Sequence, residues 1–155
     1  MELIVSLALF SIVIVVVLGL FSMGITAQRK VLALQGVQEN GRFILEFMAK
    51  EIRMSTINSG TASSINITRP EPGGEIVEYT FNGNDLTRTV DGEGGAINSE
   101  DVIVNGSFYV AGVGAADALE PKVTIALSVQ GSGTKIEEQA RIDLQTTLSQ
   151  RVLDL

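Results

Sequence analysis

The stretch "QRKVLALQGVQENGRFILEFMAKEIRMSTI", residues 28–57, decides how the chain is built. Val31, Leu34, Val37, Gly41, Ile44, Met48 and Ile52 recur every three or four residues and form one stripe. That period is the signature of an amphipathic helix. Glu39, Arg42, Glu46 and Lys50 fall on the other side and alternate in sign at i+3 and i+4 spacing. Each such pair contributes only ~0.2–0.5 kcal/mol, but together they support a solvated helix face. The stripe predicts that Val31, Leu34, Gly41, Ile44, Met48 and Ile52 pack against a folded head, while the charged set does not.

Nothing separates this stretch from what precedes it. Leu3 to Gln28 carries no charged side chain, and no proline occurs before Pro70. One continuous helix of roughly 55 residues is implied, about 80 Å long at 1.5 Å per residue. Its first half, residues 1–28, is long enough to cross a bilayer, which takes ~20 apolar residues in helix. A cleavable signal peptide has a basic start and an apolar region of only ~7–15 residues, and neither is present. Gly19 and Gly24 suit close helix–helix approach in a membrane or mark a point of unwinding. Glu2 stands at the edge of the run. A carboxylate deep in a bilayer costs ~2.5–3.5 kcal/mol, whereas at the interface it complements the helix dipole at little cost.

Residues 29–57 are the amphipathic continuation, and the period is lost across "STINSG", where the helix should stop. Residues 58–155 read as a β-structured head. "SSINIT" is a candidate strand, and "EIVEYTF" and "DLTRTV" alternate across "NGN", whose Asn82-Gly83 is a strong hairpin signal. "DGEGGAINSED" reads as a loop. "VIVNGSFYVAGV" and "KVTIALSVQ" are further strands flanking the loop "GAADALEP", and "TKIEEQARIDLQTTLSQRVL" is a last strand with a break. The expected fold is α+β, with an antiparallel sheet packed on the second half of the long helix.

Composition narrows the function. The 155 residues include no cysteine and no histidine. Disulfides, zinc–thiolate sites and histidine-based general-base or nucleophile pairs are therefore excluded. No catalytic, cofactor or metal site is expected. Asp91 and Glu93 lack the ligand register of a calcium loop, and Glu137, Glu138 and Asp143 have no partner across a cleft in the sequence pattern. Charge is uneven. Residues 1–57 hold 5 Lys and Arg against 4 Asp and Glu, whereas residues 58–155 hold 6 against 14, giving +1 and −8. An acidic head repels polyanions, so no nucleic acid is expected as its partner.

With these residues in view, "ELIVSLALFSIVIVVVLGLF" resembles the N-terminal segment, the prepilin methylation motif, of type IV pilins and type II secretion pseudopilins. "VQENGRFILEFMAKEIRMS" and the C-terminal "DLQTTLSQR" resemble more narrowly the minor pilins of the W type and the minor pseudopilins of the J type. The resemblance implies a structural subunit with a pilin-like fold. The long helix would anchor it in the inner membrane as a single pass with the head extracytoplasmic, then form the core of a pilus or pseudopilus. The implied partners are other pilin or pseudopilin subunits, the inner membrane and the assembly platform. Glu2 matches the family glutamate that neutralises the terminal amine of a neighbouring subunit. The resemblance also implies a short basic leader ending in Gly upstream of Met1, removed by a prepilin peptidase.

Arg29 and Lys30 complicate the orientation. Flanking the apolar segment on its C-terminal side, they would by the positive-inside tendency place the head in the cytoplasm. The family resemblance implies the opposite. An alternative from another class stays open, a single-pass anchored extracytoplasmic β-domain that binds a ligand or partner. A plain anchor needs neither an acid at its tip nor a rigid extension beyond the membrane.

Overall fold

The computed structural model describes residues 2–113, 120–135 and 138–151. One helix, α1 (Glu2–Arg53), is followed by β1 (Thr56–Gly60), β2 (Ser64–Thr68), β3 (Ile76–Asn82), β4 (Asp85–Val90), β5 (Glu93–Ala96), β6 (Val102–Ala111), β7 (Lys122–Gly131) and β8 (Arg141–Ser149). This is an α+β fold, one long N-terminal helix packed on antiparallel sheets, the pilin-like architecture that the resemblance implies.

The helix runs 52 residues without a break, with Lys50 and Arg53 in its last turn, where cations favour the helix dipole. It stays helical through Gly19, Gly24 and Gly36, each with open space where a side chain would begin. Within the apolar half the hydroxyls of Ser6, Ser11 and Thr26 donate to the carbonyls of Glu2, Leu7 and Ser22, four residues back. Those polar groups are thereby satisfied inside the helix itself, as an apolar surrounding requires.

The head contains two sheets where the sequence suggested one. β1 to β5 form a meander in chain order, and β6, β7 and β8 form a second antiparallel sheet. The β3–β4 hairpin turns at Gly83-Asn84, with Gly83 at φ 65°, one residue later than the Asn82-Gly83 signal placed it. "DGEGGAINSED" is not simply a loop. Asp91 and Gly92 take positive φ values of 51° and 90°, closing a second hairpin into β5. The Asp91 carboxylate accepts the Ile76 N–H at 3.0 Å, which helps hold that turn. "STINSG" is also more than a helix stop, since β1 pairs with β2 through a register irregularity between Ile57 and Ser59. Only Ile57 of β1 is buried, so no alternation announced the strand. Most of the loop "GAADALEP", together with residues 136–137 and hence Glu137, lies outside the described residues.

The core forms where α1 and the two sheets meet. Val37, Ile44, Met48 and Ile52 come from α1, Ile65, Ile67, Val77 and Leu86 from the first sheet, and Val104, Ile125, Val129 and Leu148 from the second. The Phe81 and Phe108 rings, 4.8 Å apart at their centroids, join the sheets. Phe81 also lies over Gly106, where a Cβ would stand 2.5 Å from the ring.

Gly41 sets how closely α1 lies on β7 and β8. A Cβ there would sit 2.9 Å from a Leu144 methyl, 3.1 Å from one of Ile142 and 3.5 Å from one of Val129. Gly41→Leu should therefore lower stability by ~1–3 kcal/mol through overpacking, read as a fall in Tm of the detergent-solubilised chain. Unchanged melting would mean that α1 does not sit this close.

Candidate functional site

Two regions of the chain invite a functional reading, the free half of α1 and a charged cluster where α1 meets the first sheet. Every residue from Glu2 to Leu32 is exposed. Mean hydropathy reaches 3.1 over an 18-residue window, and none of that window is buried. α1 is thus long and apolar enough to cross a membrane, and its apolar faces are turned outward all round. Glu2 is exposed in the first turn, and no cation of the described residues pairs with it.

The predicted packing stripe is only partly brought to the head. Gly41, Ile44, Met48 and Ile52 are buried there, with Val37 beside them. Val31 and Leu34 are not, being 54% and 39% exposed. The physical reason is which side of α1 meets the end of the head. The side-chain carbonyl of Asn40 accepts the Ser99 N–H at 3.3 Å, and the turn after β7 lies along Leu32, Ala33, Gly36 and Val37, where Ala33 and Gly36 are half-buried and Val31 and Leu34 fall to one side. Val31 and Leu34 therefore continue the apolar surface of the free half rather than the core. Glu39, Arg42, Glu46 and Lys50 are exposed.

The charged cluster has Glu51 at its centre. Glu51 lies in the last turn of α1, beside the buried Ile52, with a side chain only 10% exposed. Arg69, just past the end of β2, donates to its Oε1 from Nε at 2.9 Å and Nη2 at 2.5 Å. Arg88 of β4 donates from Nε to Oε2 at 3.0 Å and from Nη2 to Oε1 at 2.7 Å. The Tyr79 hydroxyl of β3 donates to Oε2. Arg69 also bridges to Glu75 at 2.9 Å. The Arg88 guanidinium stands 5.6 Å from the centroid of Phe47, which stacks on Phe43 at 5.8 Å. A cation over an aromatic face adds further attraction.

Register explains why these groups meet. Ile65, Tyr79 and Arg88 are cross-strand neighbours on β2, β3 and β4, so their side chains share the inward face of the first sheet. An arginine on an otherwise apolar inward row needs a buried acid, and Glu51 supplies it. Sequence reasoning passed over this cluster. The signal was present in "DLTRTV", where Leu86, Arg88 and Val90 occupy the inward positions of a strand read only as alternating.

Burial pushes the Glu51 carboxyl up, but hydrogen bonds from Arg88, Tyr79 and Arg69 outweigh it and bring it down to about 2. Tyr79 is raised by burial and by its bond to Glu51, and Arg88 is raised by its bond to the same carboxylate. Glu51 is thus a fixed anion whose oxygens are fully engaged, with no proton to give and no lone pair free for a substrate. Its role is to clasp the first sheet to the helix. A carboxyl lowered on folding stabilises above its unfolded value near 4.5 and loses that contribution as pH falls through its folded value near 2. The contribution is on the order of 3 kcal/mol. The Tm difference between the chain and its Glu51→Gln variant should therefore be full above about pH 5 and shrink towards about pH 2. A difference that stays constant over that range would contradict the ionised clasp.

The remaining acidic candidates stand apart. Asp91 holds the β4–β5 turn, Glu93 is exposed, Glu138 is half-buried and Asp143 pairs with Arg141 at 3.0 Å on the surface. Among the described residues no group of three or more metal-ligating side chains converges. No family model matches the chain, and no curated protein and no solved structure matches it.

Proposed function

We propose that the chain is a structural subunit of a filament, of the minor pilin or pseudopilin kind, that assembles through its N-terminal helix. The observation that carries this is the division of α1 at about residue 33, with one half docked on the head and the other exposed and apolar on every side. One rigid rod continues from one half to the other. A plain anchor gains nothing from such stiffness, whereas a subunit that exchanges lipid for neighbouring helices needs both halves in fixed relation. The same apolar surface serves in both surroundings. Before assembly the subunit resides in the inner membrane, with its head on the extracytoplasmic side.

Glu2 fits this reading as an acid whose partner arrives with assembly. In a bundle of such helices, the terminal amine of an adjacent subunit, exposed by a prepilin peptidase, neutralises it. A buried pair of this sort fixes register rather than adding bulk affinity. The assembly platform and other pilin-like subunits are the partners that follow. The chain should appear in sheared surface filaments or in an overproduced pseudopilus as well as in the membrane, detected by an antibody to the head. Recovery from the membrane fraction alone, in cells that make filaments, would favour the anchored β-domain instead.

A further inference from the structure

We propose that neighbouring copies of the chain join edge to edge, with β8 of one head pairing antiparallel to β5 of the next. This rests on the assembly reading above, because it requires subunits whose helices point the same way.

β8 is a nine-residue strand with a partner on one side only. Gly131 N–H donates to Ala140 C=O and Gln150 N–H to Pro121 C=O, and the register between them is unbroken. Even-numbered residues of β8 therefore turn their backbone towards β7, and Arg141, Asp143, Gln145, Thr147 and Ser149 present theirs to the open edge. Proteins blunt such edges with proline, lysine, a bulge or a cover. β8 has no proline, lysine or bulge, and its two charged residues, Arg141 and Asp143, pair with each other at 3.0 Å. β5 has the complementary fault. Ile97 N–H donates to Leu86 C=O, so Gly94 and Ala96 turn their N–H and C=O outward from the last strand of the first sheet. Gly94 and Gly95 place no side chain in the way of an approaching strand.

Direction selects the pairing. Along β8, Ile142 and Leu144 lie beside Gly41, and Thr147–Gln150 lie beside Ala49–Arg53, where Arg151 N–H donates to Arg53 C=O at 3.2 Å. β8 thus runs with α1. β4 does too, from Asp85, bonded to Asn98 near the Asn40–Ser99 contact, to Arg88 at Phe47 and Glu51. β5, antiparallel to β4, runs against α1. Two copies pairing through β8 alone, antiparallel about a twofold axis, would have opposed helices that cannot enter one membrane from one side. β8 against β5 keeps the helices co-directional. Being heterologous, it also repeats into an open array. One register matches the faces: Gly94 opposite Gln145 and Ala96 opposite Asp143 for the backbone bonds, with Ile97 on Ile142, Gly95 on Leu144 and Glu93 on Thr146.

The chain has no cysteine, so introduced thiols report alone. Two differently tagged full-length copies, one Glu93→Cys and one Thr146→Cys, are co-expressed in membranes and oxidised. Mixed dimers should exceed those of Glu93→Cys with Ser149→Cys by about tenfold, because a slip of three residues moves the sulfurs out of reach. Gln145→Pro on the Thr146→Cys copy removes only an outward N–H, so it should keep parent-like melting and lose the mixed dimer. A third pair of copies with Gly19→Cys reports helix association separately. Helix cross-links without the 93–146 product, Thr146→Cys homodimers as abundant as the mixed product, or a product indifferent to Gln145→Pro would each overturn the edge pairing. Absence of both cross-links would remove the assembly reading with it.

Discussion

Replacing Glu51 by Gln should cost the head about 3–5 kcal/mol, because it leaves Arg69 and Arg88 half-buried against one another without their shared counter-charge. For a domain of this size that is a fall in Tm of more than about 10 °C. The size of the effect follows from how the first sheet is attached. α1 lies closely on β7 and β8 through Gly41, whereas its polar tie to β2, β3 and β4, beside the shared apolar core, runs through one carboxylate receiving five hydrogen bonds. The triple variant Glu51→Leu, Tyr79→Phe, Arg88→Leu, which leaves no buried hydroxyl without an acceptor, should recover much of the loss. Two apolar side chains then replace the buried pair, and Arg69 retains Glu75 at 2.9 Å. A Glu51→Gln chain that melts within a degree or two of the parent would show that the cluster is not what holds the sheet.

The long helix was legible because its signals reinforce one another. An uncharged run passes without proline or turn into a stripe of fixed period, so both its continuity and its buried face follow from position alone. The extent of docking was not legible. Val31 and Leu34 belong to the stripe by spacing, but the end of the head meets α1 along Ala33, Gly36 and Val37 instead, and no feature of α1 records which side its partner takes there. In the head, "EIVEYTF" and "DLTRTV" alternate cleanly and appear as β3 and β4. β1 and β5, polar or glycine-rich with almost nothing buried, carry no period to read. The Glu51 cluster escaped because its members lie far apart in sequence, and only strand register places Tyr79 beside Arg88.

Glu2→Ala is the second large effect, and it falls on assembly rather than on folding. Glu2 lies outside the core, exposed at the far end of α1 from the head, so head stability should be unchanged. Membrane insertion should be undiminished, since the segment only becomes more apolar. Incorporation into filaments, or their initiation, should fall by tenfold or more if the neighbour's terminal amine is left buried without a counter-charge, a loss of a few kcal/mol on the order expected for one unpaired buried ion.

The most direct test of the account is therefore a fractionation of cells carrying the processed parent or its Glu2→Ala variant. Membranes and sheared surface filaments are collected from each and blotted with an antibody to the head. The account predicts equal amounts of parent and variant in the membrane and a strongly depleted variant in the filament fraction. Equal recovery of the two proteins in filaments would contradict it, removing Glu2 from assembly and leaving α1 as an anchor.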